Sequence, residues 1–341
     1  MTLPGDKAPL LSVRDLSVTF GTQDGDVRAV QGVSFDVFDG ETVGIVGESG
    51  SGKSVTASSL MGLNFGADVR ITGQILLEGR DVLTMSEEEV RAIRGRDVAM
   101  IFQDPLTALN PFYTVGSQIS EAYAIHHPGT PKKQLREIAL ESLNKVGIPE
   151  PSKRIDQYPH EFSGGMRQRI VIAIALVNSP KLLVADEPTT ALDVTVQAQI
   201  LELIATMQAA HGSAVMLITH DLGVVAETTE RVMVMYAGRM VEASAVDGIF
   251  AAPSHPYTLG LLRSVNSLET NRHSELAVIG GTPPSLINLP GGCAFHPRCQ
   301  FAGRLGGRCS TEVPELRAVG GARTACHLPD GTLSALISEQ P

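Results

Sequence analysis

The sequence predicts an α/β protein built around a phosphate-binding loop, with an antiparallel β-subdomain, a helical subdomain and a small loop-rich C-terminal domain. Three observations predict it. Residues Gly47-Glu48-Ser49-Gly50-Ser51-Gly52-Lys53-Ser54 spell G-x-x-x-x-G-K-[ST], between an apolar run at 41–46 and a helical pattern at 53–61. Two further apolar runs, 182–185 and 215–219, have the length and composition of buried parallel strands, and a helical stretch at 194–208 makes them a β-α-β unit. Alternating segments crowd the N-terminal quarter, as in an antiparallel layer.

In chain order, residues 11–20 alternate and end in a turn at Gly21-Thr22-Gln23-Asp24-Gly25. Short strands follow at 27–30 and 33–38, with similar ones at 71–77 and 98–102, all assigned to the antiparallel layer. From 115 to 146 apolar residues recur at helical spacing, among them Ile119, Leu135, Ile138 and Leu143. Pro128-Gly129-Thr130-Pro131 interrupts that stretch, and Thr130 is expected to cap the second helix. A last strand pair, 231–236 and 239–242, brackets Ala237-Gly238. Beyond about residue 250 proline and glycine become dense and periodic segments disappear, which predicts domains at 1–250 and 251–341.

Composition narrows the function classes. Hydrophobic residues make up 43%, charged residues 19%, and the formal net charge is −10. Lys and Arg form no block longer than pairs such as Lys132-Lys133, so there is no footprint for tight nucleic-acid binding. No apolar run approaches bilayer length, and the N-terminus lacks a basic stretch leading into an apolar one. A cytosolic setting is expected, with any membrane role coming through a partner.

The loop carries the chemistry. Gly47, Gly50 and Gly52 let backbone N–H groups approach phosphate oxygens, Lys53 reaches the β- and γ-phosphates, and the Ser54 hydroxyl suits Mg²⁺. The helix that follows points its positive end at the anion. Leu182-Leu183-Val184-Ala185-Asp186-Glu187 is an apolar strand ending in two acids. There Asp186 can hold Mg²⁺ and Glu187 can polarise the attacking water. An Asn-Lys-x-Asp guanine motif is missing: Asn144-Lys145 runs into Val146-Gly147.

Ser163-Gly164-Gly165-Met166-Arg167-Gln168 opens a further apolar helix and makes a second phosphate-binding helix start. At this point the chain resembles the ATP-binding-cassette (ABC) family, whose signature begins Ser-Gly-Gly, although Phe162 and Met166 depart from its commonest form. The resemblance implies a RecA-like core with a helical subdomain at about 104–175. It also implies a head-to-tail dimer in which Ser163, Gly164 and Gly165 act on the partner's ATP. Similarity further makes Gln103 the Mg²⁺-sensing glutamine, Asp193 the dimer-signalling residue, His220 the γ-phosphate switch and Phe20 the adenine-stacking aromatic. An edge-strand core role for Phe20 stays open. The expected ATP site is therefore Phe20, 47–54, Gln103 and Asp186, with Glu187, His220 and Lys53 catalytic.

Cys293, Cys299, Cys309 and Cys326 all lie in the tail, without a Cys-x-x-Cys pair. Zinc, a [4Fe–4S] cluster, or four unrelated buried cysteines are the readings the residues leave open. His255-Pro256-Tyr257-Thr258, Gly281-Thr282-Pro283-Pro284, residues 292–299 and Ala325-Cys326-His327 look like the C-terminal domain of dipeptide/oligopeptide importer ATPases. That resemblance implies a [4Fe–4S] cluster on the four cysteines, with zinc as the alternative. It also implies a peripheral ATPase on the cytoplasmic side of the membrane. The expected partners are a second ATPase in a heterodimer, two membrane permease subunits and an extracytoplasmic peptide-binding protein. The rivals are a cassette importing another solute such as nickel and a non-transport cassette ATPase.

Overall fold

The computed structural model describes residues 8–190, 192–270, 279–333 and 335. The chain forms two compact units, one made of Met1–Val37, Thr42–Leu83 and Thr219–Pro341, the other of Phe38–Glu41 and Thr84–Ile218.

In the first unit, strand Leu11–Thr22 lies between Gly25–Val37 and Val69–Leu77, antiparallel to both. Arg80–Asp81 extends this sheet. Val13, Leu16 and Val18 are all fully buried, which strict alternation forbids. Asp15, at φ 47°, takes up the extra residue in a bulge and returns Leu16 to the core face. Across the sheet the two strands expected at 27–30 and 33–38 are one, Gly25–Val37. A register irregularity around Gly32, at φ 64°, bends the strand there without ending it.

The same unit holds Thr42–Val46, buried at every residue and parallel to Arg231–Tyr236. Arg231–Tyr236 turns back into Arg239–Ala245. Ala237 and Gly238, at φ 49° and 79°, form the two-residue turn whose twist matches that of the strands. Ala322–Thr324 pairs with Arg239–Ala245, and Arg317–Val319 pairs with Ala322–Thr324. The residues beyond 250 thus add strands to this sheet and side chains to its core, where Tyr257 and Phe295 pack with Val234, Tyr236, Leu222 and Val225.

The second unit carries three parallel strands, Val98–Ile101, Leu182–Asp186 and Ala214–Thr219. This corrects the placement of 98–102 in the antiparallel layer. All four residues of Val98–Ile101 are buried, as a strand covered on both faces requires. Helices Val115–Ala124, Lys132–Lys145 and Gly164–Leu176 pack on one another, burying Ile119, Leu143 and Ile170 among others. The expected Thr130 cap is corrected too. Pro131 occupies the cap position of Lys132–Lys145 without a side-chain bond, and the Thr130 hydroxyl donates to the His127 carbonyl at 2.7 Å. Helix Val194–His211 follows and ends at Gly212, in the left-handed conformation. Among the described residues no helix is long and apolar enough to cross a membrane.

Candidate functional site

In the first unit the phosphate loop joins Thr42–Val46 to helix Lys53–Leu60. Two of its glycines are obligatory. Gly47 sits at φ 153°, and a Cβ there would lie 2.2 Å from the Met235 carbonyl oxygen. Gly52, at φ 100°, caps the helix, and its Cβ would lie 2.3 Å from the Ala29 carbonyl. Gly50 has open space around it, and Ser49 and Gly50 are exposed. Lys53 is only 5% exposed, and its amine donates to the carbonyls of Gly47 at 2.7 Å and Glu48 at 2.9 Å. The Gly238 N–H donates to the Ser51 carbonyl at 2.9 Å, tying the loop to the hairpin turn. Ser54 lies exposed in the first helical turn.

Glu48 is held at all its polar groups. Its carbonyl accepts from Lys53, and its N–H donates to the Tyr257 hydroxyl at 2.8 Å. Its carboxylate takes both guanidinium nitrogens of Arg298, at 2.6 and 3.0 Å. Tyr257 and Arg298 were singled out in the sequence only within a resemblance, and no spacing rule carries them to the loop.

Phe20 is half-buried on Leu11–Thr22, opposite Val27 and Val69. That position suits a core or a ring-stacking role alike. His220 is exposed in a fixed backbone: the Thr219 hydroxyl accepts from the Asp221 N–H at 3.0 Å. The Asp221 carboxylate in turn caps Leu222–Thr228.

The second unit carries the other motifs. Asp186 is buried at the end of Leu182–Asp186. Glu187, the next residue, is left-handed at φ 47°, a conformation rare for a residue with a side chain and often found at working sites. Its N–H donates to the Ile218 carbonyl at 2.8 Å. Its carboxylate accepts from Gln103 Nε2 at 3.1 Å and the Thr190 hydroxyl at 2.8 Å. The structure thus brings together two residues that the sequence singled out far apart.

Ser163 is the N-cap of Gly164–Leu176, accepting from the Met166 N–H at 3.4 Å. Asp193 caps Val194–His211, accepting from Val196 N–H at 3.0 Å. Gly165 and Val196 meet, since a Cβ on Gly165 would lie 2.8 Å from the valine methyl. Within this unit the Gln103 amide oxygen and the Asp186 carboxylate are oxygen donors of the kind Mg²⁺ takes.

The four tail cysteines do not behave as a metal centre. They share one small apolar space with Phe295, Phe301 and Leu328. Burial pushes all four thiols up, Cys299 to about 11 and Cys326 to about 12. Among the described residues no group of three or more His, Cys, Asp or Glu is arranged to hold a metal ion. The expected [4Fe–4S] cluster on Cys293, Cys299, Cys309 and Cys326, and its zinc alternative, are therefore corrected. These cysteines pack as small apolar side chains, the role left open by the residues alone.

Comparison with known proteins adds an independent view. The family described as "ABC transporter" matches residues 30–190, and "Oligopeptide/dipeptide transporter, C-terminal region" matches 241–304. The dipeptide transport ATP-binding protein DppD of Bacillus subtilis is 56% identical over 85% of this chain and 86% of its own length. The oligopeptide transport ATP-binding protein OppD of Salmonella typhimurium is 48% identical over 94% of each. Among solved structures, a dimeric ATP-binding cassette in a post-hydrolysis state with ADP and Pi matches with a TM-score of 0.63. It is 26% identical over 69% of this chain and 98% of its own.

Proposed function

The chain belongs to the ABC transporter family as an ATP-hydrolysing subunit of a dipeptide/oligopeptide importer, and from that premise we propose how its residues divide the work. Family membership implies ATP with Mg²⁺, an ATPase dimer and membrane permeases. The extensive identity to peptide-transport relatives sets aside the nickel and non-transport alternatives.

In this reading 47–54 bind the phosphates, with Lys53 on the β- and γ-phosphates and Ser54, Gln103 and Asp186 towards Mg²⁺. Phe20 stacks on adenine. Bound Mg²⁺ neutralises phosphate charge. Glu187 polarises the attacking water and His220 contacts the γ-phosphate. Ser163, Gly164 and Gly165 act on the partner's nucleotide, and Asp193 signals across the dimer. The observation that carries this reading is at Glu187: a left-handed backbone aims a carboxylate whose orientation Gln103 and Thr190 fix.

The finer assembly is a heterodimer with a second ATPase, two permeases and an extracytoplasmic binding protein, with this chain peripheral on the cytoplasmic side. Residues 104–175 form the permease-coupling surface. Supporting it, Phe112 and Tyr113 are 84% and 57% exposed, an apolar display that suits a protein contact. Residues 251–341 serve as the peptide-importer-type element that follows the nucleotide-binding domain at 1–250. The test is Glu187→Gln in the assembled transporter. ATP should remain bound while turnover falls by about a hundredfold or more, the size of a general-base contribution. Undiminished hydrolysis would remove Glu187 from its role.

A further inference from the structure

The segment beyond residue 250 grips the phosphate loop through one residue. Glu48 occupies a variable position of the loop motif, and an acid there is unexpected: its charge opposes that of the phosphates the loop is built to receive. Arg298 answers it. Its guanidinium forms a two-pronged pair with the Glu48 carboxylate, and its side chain is only 5% exposed. The remaining donors are used as well. Nε reaches the Gly280 carbonyl at 2.9 Å, and the terminal nitrogens reach the Ile279 carbonyl at 3.3 Å and the Tyr236 hydroxyl at 3.4 Å. The planar group also lies over the rings of Tyr236 and Phe295, 5.8 and 6.0 Å from their centres.

The pair is partly buried, the Glu48 side chain being 27% exposed, and such a pair seldom adds net stability over an apolar pair of the same shape, because its charges must shed water. Breaking one by removing a single partner leaves an uncompensated charge. Here that charge would sit on the loop residue next to Gly47 whose backbone carbonyl accepts from Lys53. Tyr257, from the same C-terminal stretch, holds the Glu48 N–H. Of the three side chains that hold Glu48, two come from beyond residue 250.

We propose that Arg298 is a positioning and charge-neutralising residue for the phosphate loop, so that the C-terminal segment sets how well the loop binds Mg²⁺-ATP. The proposal rests on the reading of 47–54 as the ATP site. Its consequence is an allosteric handle: anything that shifts residues 279–298 alters nucleotide affinity without touching the nucleotide.

The test is equilibrium binding of a ribose-labelled fluorescent ATP, with Mg²⁺, to the purified full-length chain. Arg298→Ala should weaken binding by about tenfold or more, the effect of one uncompensated charge. Adding Glu48→Gln to Arg298→Ala should restore affinity to within about threefold of Glu48→Gln alone, because the offending charge is gone. If Arg298 served packing alone, the double variant would bind as weakly as Arg298→Ala, and that outcome overturns the proposal. So does an Arg298→Ala affinity within about twofold of the unmodified chain. Should Arg298→Ala fail to fold by circular dichroism, Arg298→Lys with and without Glu48→Gln takes its place. The lysine keeps the charge but not the fork, so a loss of about threefold is expected and no loss is contrary. Lys53→Ala separates premise from proposal. Binding that survives Lys53→Ala overturns the ATP-site reading and the clamp with it; binding lost there and kept in Arg298→Ala overturns the clamp alone.

Discussion

Gly47 and Gly50 carry the same letter in the same motif, yet the structure makes them unequal. A methyl group on Gly47 would stand 2.2 Å from the Met235 carbonyl oxygen, whereas one on Gly50 meets nothing. Gly50→Ala meets only the strain of φ 75°, about 1–2 kcal/mol. Gly47→Ala adds a backbone clash and is expected to cost about 3 kcal/mol or more. Urea denaturation of the two variants should separate them clearly; equal losses would contradict the close approach. The motif was legible because its residue types are dictated by phosphate chemistry. It also marks Gly47 as required and Gly50 as variable; the local reason was not legible, because the atom that decides it belongs to Arg231–Tyr236, a strand far along the chain. The same limit applies at Glu187, whose left-handed backbone has no signature in an apolar run ending in Asp-Glu.

At the scale of elements, the Ala237-Gly238 turn and the parallel runs 182–185 and 215–219 read well, whereas the Thr130 cap and the run 98–102 did not. Gly238 announced the hairpin, since glycine supplies a positive φ at little cost, whereas Ala237 at φ 49° carries the strain of a side chain there. Residues 98–102 could not announce their partner. A run of four apolar residues fits either an antiparallel edge or a doubly covered parallel strand, and only the pairing with Leu182–Asp186 decides. Asp193 shows how one side chain can serve both an element and a function. It caps the helix Val194–His211, and asparagine caps about as well as aspartate while alanine does not. Asp193→Ala should therefore lose about 1 kcal/mol of stability. Asp193→Asn should keep that stability and still lower ATP turnover in the assembled transporter if the charge signals across the dimer. Full turnover in Asp193→Asn would reduce the residue to a cap. Thermal melts beside hydrolysis rates make the comparison.

At the scale of the whole molecule, the C-terminal stretch was the least legible part. Dense proline and glycine gave no periodicity to follow, and its order comes from contacts with distant strands. His255 stands at the centre of that order. It is 1% exposed, its Nδ1 accepts from the Tyr257 N–H at 3.1 Å, and its ring lies 5.8 Å from that of Phe295. Its own N–H donates to buried Glu242 at 2.9 Å, as the Ser254 N–H does at 2.6 Å. The resemblance named the His-Pro-Tyr run but not this packing. Burial lowers the imidazole to about 3 from an ordinary 6.5, so the folded chain keeps it neutral where the unfolded chain protonates it. The sign follows from linkage: the stability this neutral histidine permits is complete above pH 6.5 and is lost as pH falls from 6.5 towards 3. Within that window the slope approaches about 1.4 kcal/mol per pH unit from this one group. Glu242, pushed up by its own burial, has the opposite sign, because its proton is held more tightly in the fold. It therefore offsets part of the acid loss between the ordinary carboxylate range and its raised value. Replacing His255 by Gln removes the titration while keeping a polar side chain of similar reach. The unfolding free energy of His255→Gln, measured in urea from pH 7 to 5, should fall less steeply than that of the unmodified chain. Parallel slopes would mean that His255 titrates in the folded protein as it does in the unfolded chain. The Tyr257–Phe295 packing that presents Arg298 to the phosphate loop would then have to accommodate a buried cation.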